Sequence, residues 1–236
     1  MRINKFLASA GLGSRRKVED LILSGVIKVN GVVTTDLSTD IDTSCDKVEY
    51  LNRELKLTED KVYYALNKPR KCITACSDGH GRKLVIDYVP QSPKVFPVGR
   101  LDYETEGLII LTNDGDFANS IIHPSKKISK TYEIVTNKTL SAIDKKKLEK
   151  GVVIDGRVTL PAIITSDKKV ANGYYRQITI FEGRNREIRK MFDTIGHSVV
   201  NLKRIAIGGY RLGNIASGKY VQLTSHDLSK ILHSEE

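Results

Sequence analysis

Three carboxylates within five residues, Asp102, Glu104 and Glu106, stand in a polar loop bounded by Gly99 and Gly107 and followed by the apolar run Leu108-Ile109-Ile110-Leu111. Carboxylates at this spacing serve general acid/base or glycosidase chemistry. The same i, i+2, i+4 spacing also describes one solvated side of an exposed strand. A second segment, Phe181-Glu182-Gly183-Arg184-Asn185-Arg186-Glu187-Ile188-Arg189-Lys190-Met191-Phe192, reads as a helix start. Asn185 is the expected N-cap, with Ile188, Met191, Phe192 and Ile195 on a core face and Arg186, Arg189 and Lys190 on a separate basic face. Cations in a first turn oppose the helix dipole by about 0.3–1 kcal/mol each, so an anionic partner is expected there. In a third segment, Ser129-Lys130-Thr131-Tyr132, a lysine and a tyrosine enter a strand. Tyr132 is either core or a stacking platform for a base, a contact worth about 1–3 kcal/mol.

The elements that must position these residues follow from hydrophobic period. Strands are expected at 62–67, 95–98, 107–112, 131–136, 152–154, 162–165, 175–181, 199–207 and 219–223, and helices at 82–88, 115–122, 139–150, 185–195 and 225–233. Many strands with few helices imply an α+β domain over 61–236, with a mixed, mostly antiparallel sheet flanked by helices. Ahead of it, residues 1–48 read as a small α/β module. Ile3, Phe6 and Leu7 line a helix ending near Gly11, Ser14 caps a second helix that stops at Gly25, and 26–29 is a strand. Asn30-Gly31 is a hairpin signal. Residues 49–60, polar and acidic with Leu51, Leu55 and Leu57 alternating, read as a linker with room for a short strand.

Charge points to a polyanionic partner. The net charge is +10, yet residues 1–60 sum to −1, with a basic start (+4 over 1–30) and an acidic stretch (−5 over 31–60), while 61–236 carry +11. Arg15, Arg16 and Lys17 crowd the first turn of the second helix, where phosphate would relieve the dipole conflict. No run of about 18 apolar residues and no signal-like start is present, so a cytoplasmic protein without a membrane partner is expected. Cys45, Cys72 and Cys76 form no disulfide framework, and Cys72 and Cys76 lack a second Cys/His pair, so neither disulfide nor metal is expected. No phosphate-binding loop or dinucleotide fingerprint occurs, which implies no nucleotide cofactor.

Taken in order, Gly99-Arg100-Leu101-Asp102-x-x-Thr105-x-Gly107-Leu108, Lys130-Thr131-Tyr132 and Gly183-Arg184-Asn185-Arg186-x-Ile188-Arg189 resemble the ribosomal small- and large-subunit uridine pseudouridine synthases. Asn67-Lys68-Pro69, Leu111-Thr112-Asn113-Asp114-Gly115, His123-Pro124 and Leu202-x-Arg204-x-x-Ile207-Gly208 extend the resemblance. Arg2-x-Asn4-Lys5-Phe6-Leu7, Gly11-x-Gly13-Ser14-Arg15-Arg16 and Gly25-x-x-x-Val29-Asn30-Gly31 resemble the αL RNA-binding fold named for a small-subunit ribosomal protein.

The resemblance implies an isomerase that breaks the N1–C1′ bond of a uridine, turns the base and joins C5 to C1′, without metal or cofactor. It assigns Asp102 as the initiating carboxylate, attacking C1′ or removing the C2′ proton, Arg189 as its cationic partner and Tyr132 as the stacking residue. Arg100 would fill the space of a flipped base or contact phosphate, and Lys5, Arg15, Arg16, Lys17, Lys130, Arg184 and Arg186 would contact RNA. Ribosomal RNA, 23S by the wording of the loops, is the implied substrate, with 16S RNA or a tRNA as alternatives and a monomer as the expected state. A non-catalytic RNA-binding or ribosome-assembly protein is the reading from another class. Two residues depart from the family pattern: Glu187 stands where glutamine is usual, and Lys71 where a glycine commonly follows Asn-Lys-Pro.

Overall fold

The computed structural model describes residues 1–57 and 60–233, which divide into two compact units at Lys61/Val62. The first unit begins with α1 (Ile3–Ser9) and α2 (Arg15–Leu23), and the Ser14 hydroxyl caps α2 by accepting the Lys17 N–H. Strands β1 (Ile27–Val29), β2 (Val32–Val33), β3 (Val48–Tyr50) and β4 (Arg53–Glu54) form a sheet in the order β2-β1-β3-β4. Asn30 and Gly31, both at positive φ, make the β1–β2 turn that the dipeptide signals. Ile3, Phe6, Leu7, Val18, Ile22, Ile27, Ile41 and Val48 fill the core. The linker expectation for 49–60 is corrected here. Residues 49–54 fall in β3, β4 and the turn between them, where Leu51 is exposed, and Leu55 and Leu57 after β4 pack on this core. Thr58 and Glu59 of that span lie outside the described residues.

The second unit is a ten-stranded sheet with helices on both faces. In chain order it contains β5 (Tyr63–Lys68), β6 (Phe96–Pro97), β7 (Glu106–Thr112), α3 (Gly115–Ile122), β8 (Lys130–Thr136) and α4 (Ala142–Lys150). The hairpin β9 (Val153–Ile154) and β10 (Arg157–Val158) follows, then β11 (Ile163–Ile164), β12 (Lys168–Val170), β13 (Gly173–Ile180) and α5 (Glu187–Asp193). The chain closes with β14 (Val199–Ile207), β15 (Tyr210–Arg211), β16 (Tyr220–Gln222) and α6 (Ser225–Leu232). The main order is β11-β13-β8-β14-β7-β5-β16, antiparallel except for the β14–β7 pair, with β12, β15 and β6 attached at the side. Alternation divides the sheet's two faces: Ile109 and Leu111 join the core under α4 and α5, while Leu108 and Ile110 join the core under α3 and α6.

Two helix expectations change. Over 82–88 only a 3₁₀ turn, Val85–Tyr88, forms, because Ile73 pairs with the backbone of Lys83 and Val85 in strand fashion. The expected 185–195 helix is shorter, and its cap is not Asn185. Arg186 occupies the cap in the left-handed region without a side-chain bond, while the Glu187 carboxylate end reaches back to the Arg184 N–H at 2.8 Å. No described helix is long and apolar enough to cross a membrane.

Candidate active site

The loop carrying Asp102 is fixed from below by the strand and turn that contain Asn67-Lys68-Pro69. Lys68, wholly buried, donates its ammonium to the carbonyls of Thr105 (2.7 Å) and Pro69 (3.0 Å). Burial pushes the Lys68 ammonium below its ordinary value, while nearby Asp102, Glu104 and Glu106 oppose that shift. Thr74 clips the residue before the aspartate, its hydroxyl donating to the Leu101 carbonyl at 2.8 Å. Lys71 sits at φ 58°, the left-handed conformation that favours glycine, and its N–H donates to the Tyr103 carbonyl. A glycine, which the resemblance implied there, would adopt that geometry without strain. Gly107 has a different reason: a Cβ there would lie 2.2 Å from the Arg204 carbonyl oxygen, where β7 and β14 run side by side.

Of the three loop carboxylates, Asp102 is the one that lines the main cleft. It faces a cleft of about 690 Å³ walled by the Asp102 loop, β8, the β9–β10 hairpin and the start of α5. Glu104 pairs with Arg70 at 3.3 Å on the surface, and Glu106 belongs to β7, so the loop itself supplies one carboxylate to the cleft, which Asp155, Glu182 and Glu187 also line. Across from Asp102 stand two arginines: Arg186 Nη1 lies 3.8 Å and Arg189 Nε 4.0 Å from Asp102 Oδ2. Arg189 is anchored by donating Nη1 to the Val199 carbonyl at 2.8 Å, and its buried Nε is without a hydrogen-bond partner. Burial and the neighbouring Arg186 push Arg189 below its ordinary value, with Asp102 pulling the other way.

Tyr132 belongs to the core, 8% exposed, and also lines the cleft. The buried Arg204 guanidinium lies 6.0 Å from its ring centroid and donates Nε to the Leu108 carbonyl. Lys130 also lines the cleft, and burial, assisted by Arg204, pushes it down to about 8. Arg100 is exposed at the rim. Arg184, expected on RNA, is engaged within the protein: it donates to Glu182 and to the carbonyls of Arg157 and Val158, bracing the hairpin. Lys190 does the same through Asp155 at 2.6 Å, so the basic face expected on α5 divides between cleft and brace. Lys5, Arg15, Arg16 and Lys17 lie in the first unit, the last three exposed at the start of α2. Lys68, Thr74 and Arg204 had no assigned role in the sequence; the Asn-Lys-Pro and Leu-x-Arg motifs were the signals for two of them. Among the described residues no group of three His, Cys, Asp or Glu is placed to hold a metal.

The family of RNA pseudouridylate synthases matches residues 62–194, and the S4 domain matches residues 1–48. This chain belongs to the RNA pseudouridine synthases. The synthase is 41% identical to the ribosomal large subunit pseudouridine synthase B of Bacillus subtilis, over 98% of this chain and 95% of that one. It is 39% identical to an uncharacterised RNA pseudouridine synthase of Aquifex aeolicus, over 98% and 93% of the two chains. A crystal structure of a pseudouridylate synthase superposes with a TM-score of 0.69 at 27% identity, covering 98% of this synthase and 99% of that chain. The S4-type module followed by a synthase domain with a mixed, mostly antiparallel sheet is therefore the architecture of this enzyme.

Proposed function

We propose that this synthase converts a uridine of large-subunit ribosomal RNA to pseudouridine, with Asp102 as the group that acts on the ribose. The observation that carries the reading is Asp102 set within 4.0 Å of both Arg186 and Arg189, in a cleft walled by Tyr132. About 690 Å³ is within the range that encloses a small ligand, so a single extruded nucleotide fits it. Similarity to a large-subunit enzyme over nearly the whole chain supports ribosomal RNA as substrate.

C1′ and C5 are hidden in a stacked helix, so the target base is flipped into the cleft and stacks on Tyr132. Asp102 attacks C1′ or removes the C2′ proton, and the N1–C1′ bond breaks with its electron pair passing to the uracil. The base turns, and C5 bonds to C1′ as the Asp102–C1′ bond breaks or, in the other route, as the proton returns to C2′; C5 then loses its proton and N1 takes one up. Arg186 and Arg189, within 4.0 Å, set positive charge beside the Asp102 carboxylate as the substrate excludes water. Incubation with ribosomal RNA transcripts carrying tritium at uridine C5 tests the reading. Release from 23S RNA and not from 16S RNA or tRNA is expected; release from 16S RNA alone would move the substrate, and binding without release would favour a non-catalytic RNA-binding role.

Arg189→Ala is expected to slow single-turnover release by about 10²-fold, the scale of losing one preorganised electrostatic contact. If only RNA affinity changed, Arg189 would be a binding residue and not the partner of Asp102. For the S4 module, the triple change Arg15→Ala, Arg16→Ala, Lys17→Ala is expected to reduce the slope of log affinity against log salt by about 2, since each lost phosphate contact releases fewer counterions. The single-turnover rate at saturating RNA should stay near wild type. A salt slope equal to wild type would remove these residues from the RNA interface.

A further inference from the structure

Glu187 opens α5 and is 4% exposed. One of its carboxyl oxygens accepts the Arg184 N–H at 2.8 Å. The Glu182 carboxyl, bound to the same Arg184 through its Nε, stands beside it. Both Glu182 oxygens already accept N–H groups, Oε1 from Leu160 at 2.7 Å and Oε2 from Arg184 Nε at 2.8 Å. Two carboxylates held on one arginine repel each other, and the proton goes to the one that is more buried and less well supplied with donors. Glu182 has two N–H donors, whereas Glu187 has one and is buried, so Glu187 is the one that carries it. In that form it offers one acceptor and one donor, the pattern of a glutamine amide.

This carboxyl pair sits in a bracket. Arg184, fixed by Glu182, donates to the carbonyls of Arg157 and Val158 and so joins the start of α5 to the β9–β10 hairpin across the cleft. Arg186 and Arg189, flanking Glu187 on the same turn, are the two cations facing Asp102. We infer that Glu187 is a positioning residue that works as a neutral acid, holding the Arg186–Arg189 turn against Asp102, and that loss of its proton loosens this turn and slows the reaction. The inference rests on the reading of Asp102 as the reacting carboxylate.

Burial, together with the charge of Glu182, pushes Glu187 up to about 7, while the Arg184 N–H opposes the shift. The other charged groups around it are Lys130 on β8, which Glu187 stabilises as a cation, Arg204 beyond Lys130, and Asp155 and Arg157 on the hairpin. Because the folded value lies above the ordinary one, the stabilisation by Glu187 is complete below its ordinary carboxylate range and is lost as pH rises through about 7.

The test is single-turnover tritium release at saturating RNA between about pH 6 and about pH 8 for wild type, Glu187→Gln and Glu187→Ala, with unfolding temperature followed in parallel. Wild type is expected to slow by up to about tenfold across this range, whereas Glu187→Gln keeps the pH 6 rate throughout and Glu187→Ala is slow at every pH. Superimposable profiles for wild type and Glu187→Gln would overturn the inference, as would a folded Glu187→Gln that is slow at pH 6. A carboxyl-carbon NMR titration of Glu187 in the full-length wild type decides the matter without variants: a midpoint near 7 supports it, and one below about 5 overturns it. Turnover by Asp102→Asn would instead overturn the reading of Asp102 and is read in the same assay.

Discussion

Asp102→Asn is expected to lower single-turnover pseudouridine formation by at least about 10³-fold, because a carboxylate acting as nucleophile or base has no substitute in a neutral amide. The loop should survive the change. It is held by Lys68 on the Thr105 carbonyl, by Thr74 on the Leu101 carbonyl and by Lys71 on the Tyr103 carbonyl, and none of these bonds involves the Asp102 side chain. RNA affinity should hold or rise, since a negative charge is removed from a cleft that binds a polyanion while Arg186 and Arg189 remain. The combination of intact fold, intact binding and lost tritium release separates chemistry from recognition. Retention of substantial turnover by Asp102→Asn would defeat the assignment, and the carboxylate would then have to be sought elsewhere among the cleft residues.

The sequence made the Asp102 loop legible because its residues are contiguous: a glycine-bounded polar segment between apolar runs reads as a loop between strands, and its motif carried the aspartate. Arg189 was reached through the resemblance, since spacing on a helix shows a shared face but not what stands opposite. What period could not show is which distant segments meet. The parallel β14–β7 pairing is the clearest case: it brings Arg204 onto Gly107, and neither residue announces the other. The short return strands β10, β12 and β15 escaped for a related reason, being two or three residues long with no alternation to read. Arg184 was expected on RNA, and Glu187 stood out as a departure from the family pattern. The bracing by Arg184 and Glu182 depends on Leu160, Arg157 and Val158, more than twenty residues away, so only the fold reveals it. Arg176 was invisible as a buried residue because alternation along 175–181 specifies its face and not the acid that neutralises it.

That acid is Asp167, and Asp167→Ala is expected to destabilise the synthase by about 3–5 kcal/mol, the scale of leaving one partner of a buried pair uncompensated. Arg176 is wholly buried. Its Nε and Nη2 donate to the two Asp167 oxygens at 2.6 and 2.9 Å, and Nη1 donates to the Thr136 hydroxyl at 2.9 Å. Burial alone would raise the Asp167 carboxyl, but Arg176 and the donors from Leu140 and Thr139 outweigh it and hold the group below its ordinary value. The stabilisation is therefore present above the ordinary carboxylate range and disappears as pH falls through the lower, folded value. At neutral pH the change should lower the unfolding temperature by about 2–4 °C per kcal/mol for a chain of this size. The charge explanation has its own control. Replacing both partners, Asp167→Leu with Arg176→Met, removes the stranded cation and should recover most of the loss, since apolar replacements of buried pairs are often near neutral. Arg176 also lies 5.6 Å from the ring centroid of Phe192 on α5, the helix that carries Arg189. Asp167→Ala should accordingly slow turnover as well as weaken the fold, and the double variant should restore turnover together with stability. Failure of the double variant to recover either would mean that the hydrogen bonds to Leu140 and Thr139, and not the neutralisation of Arg176, are what this acid contributes.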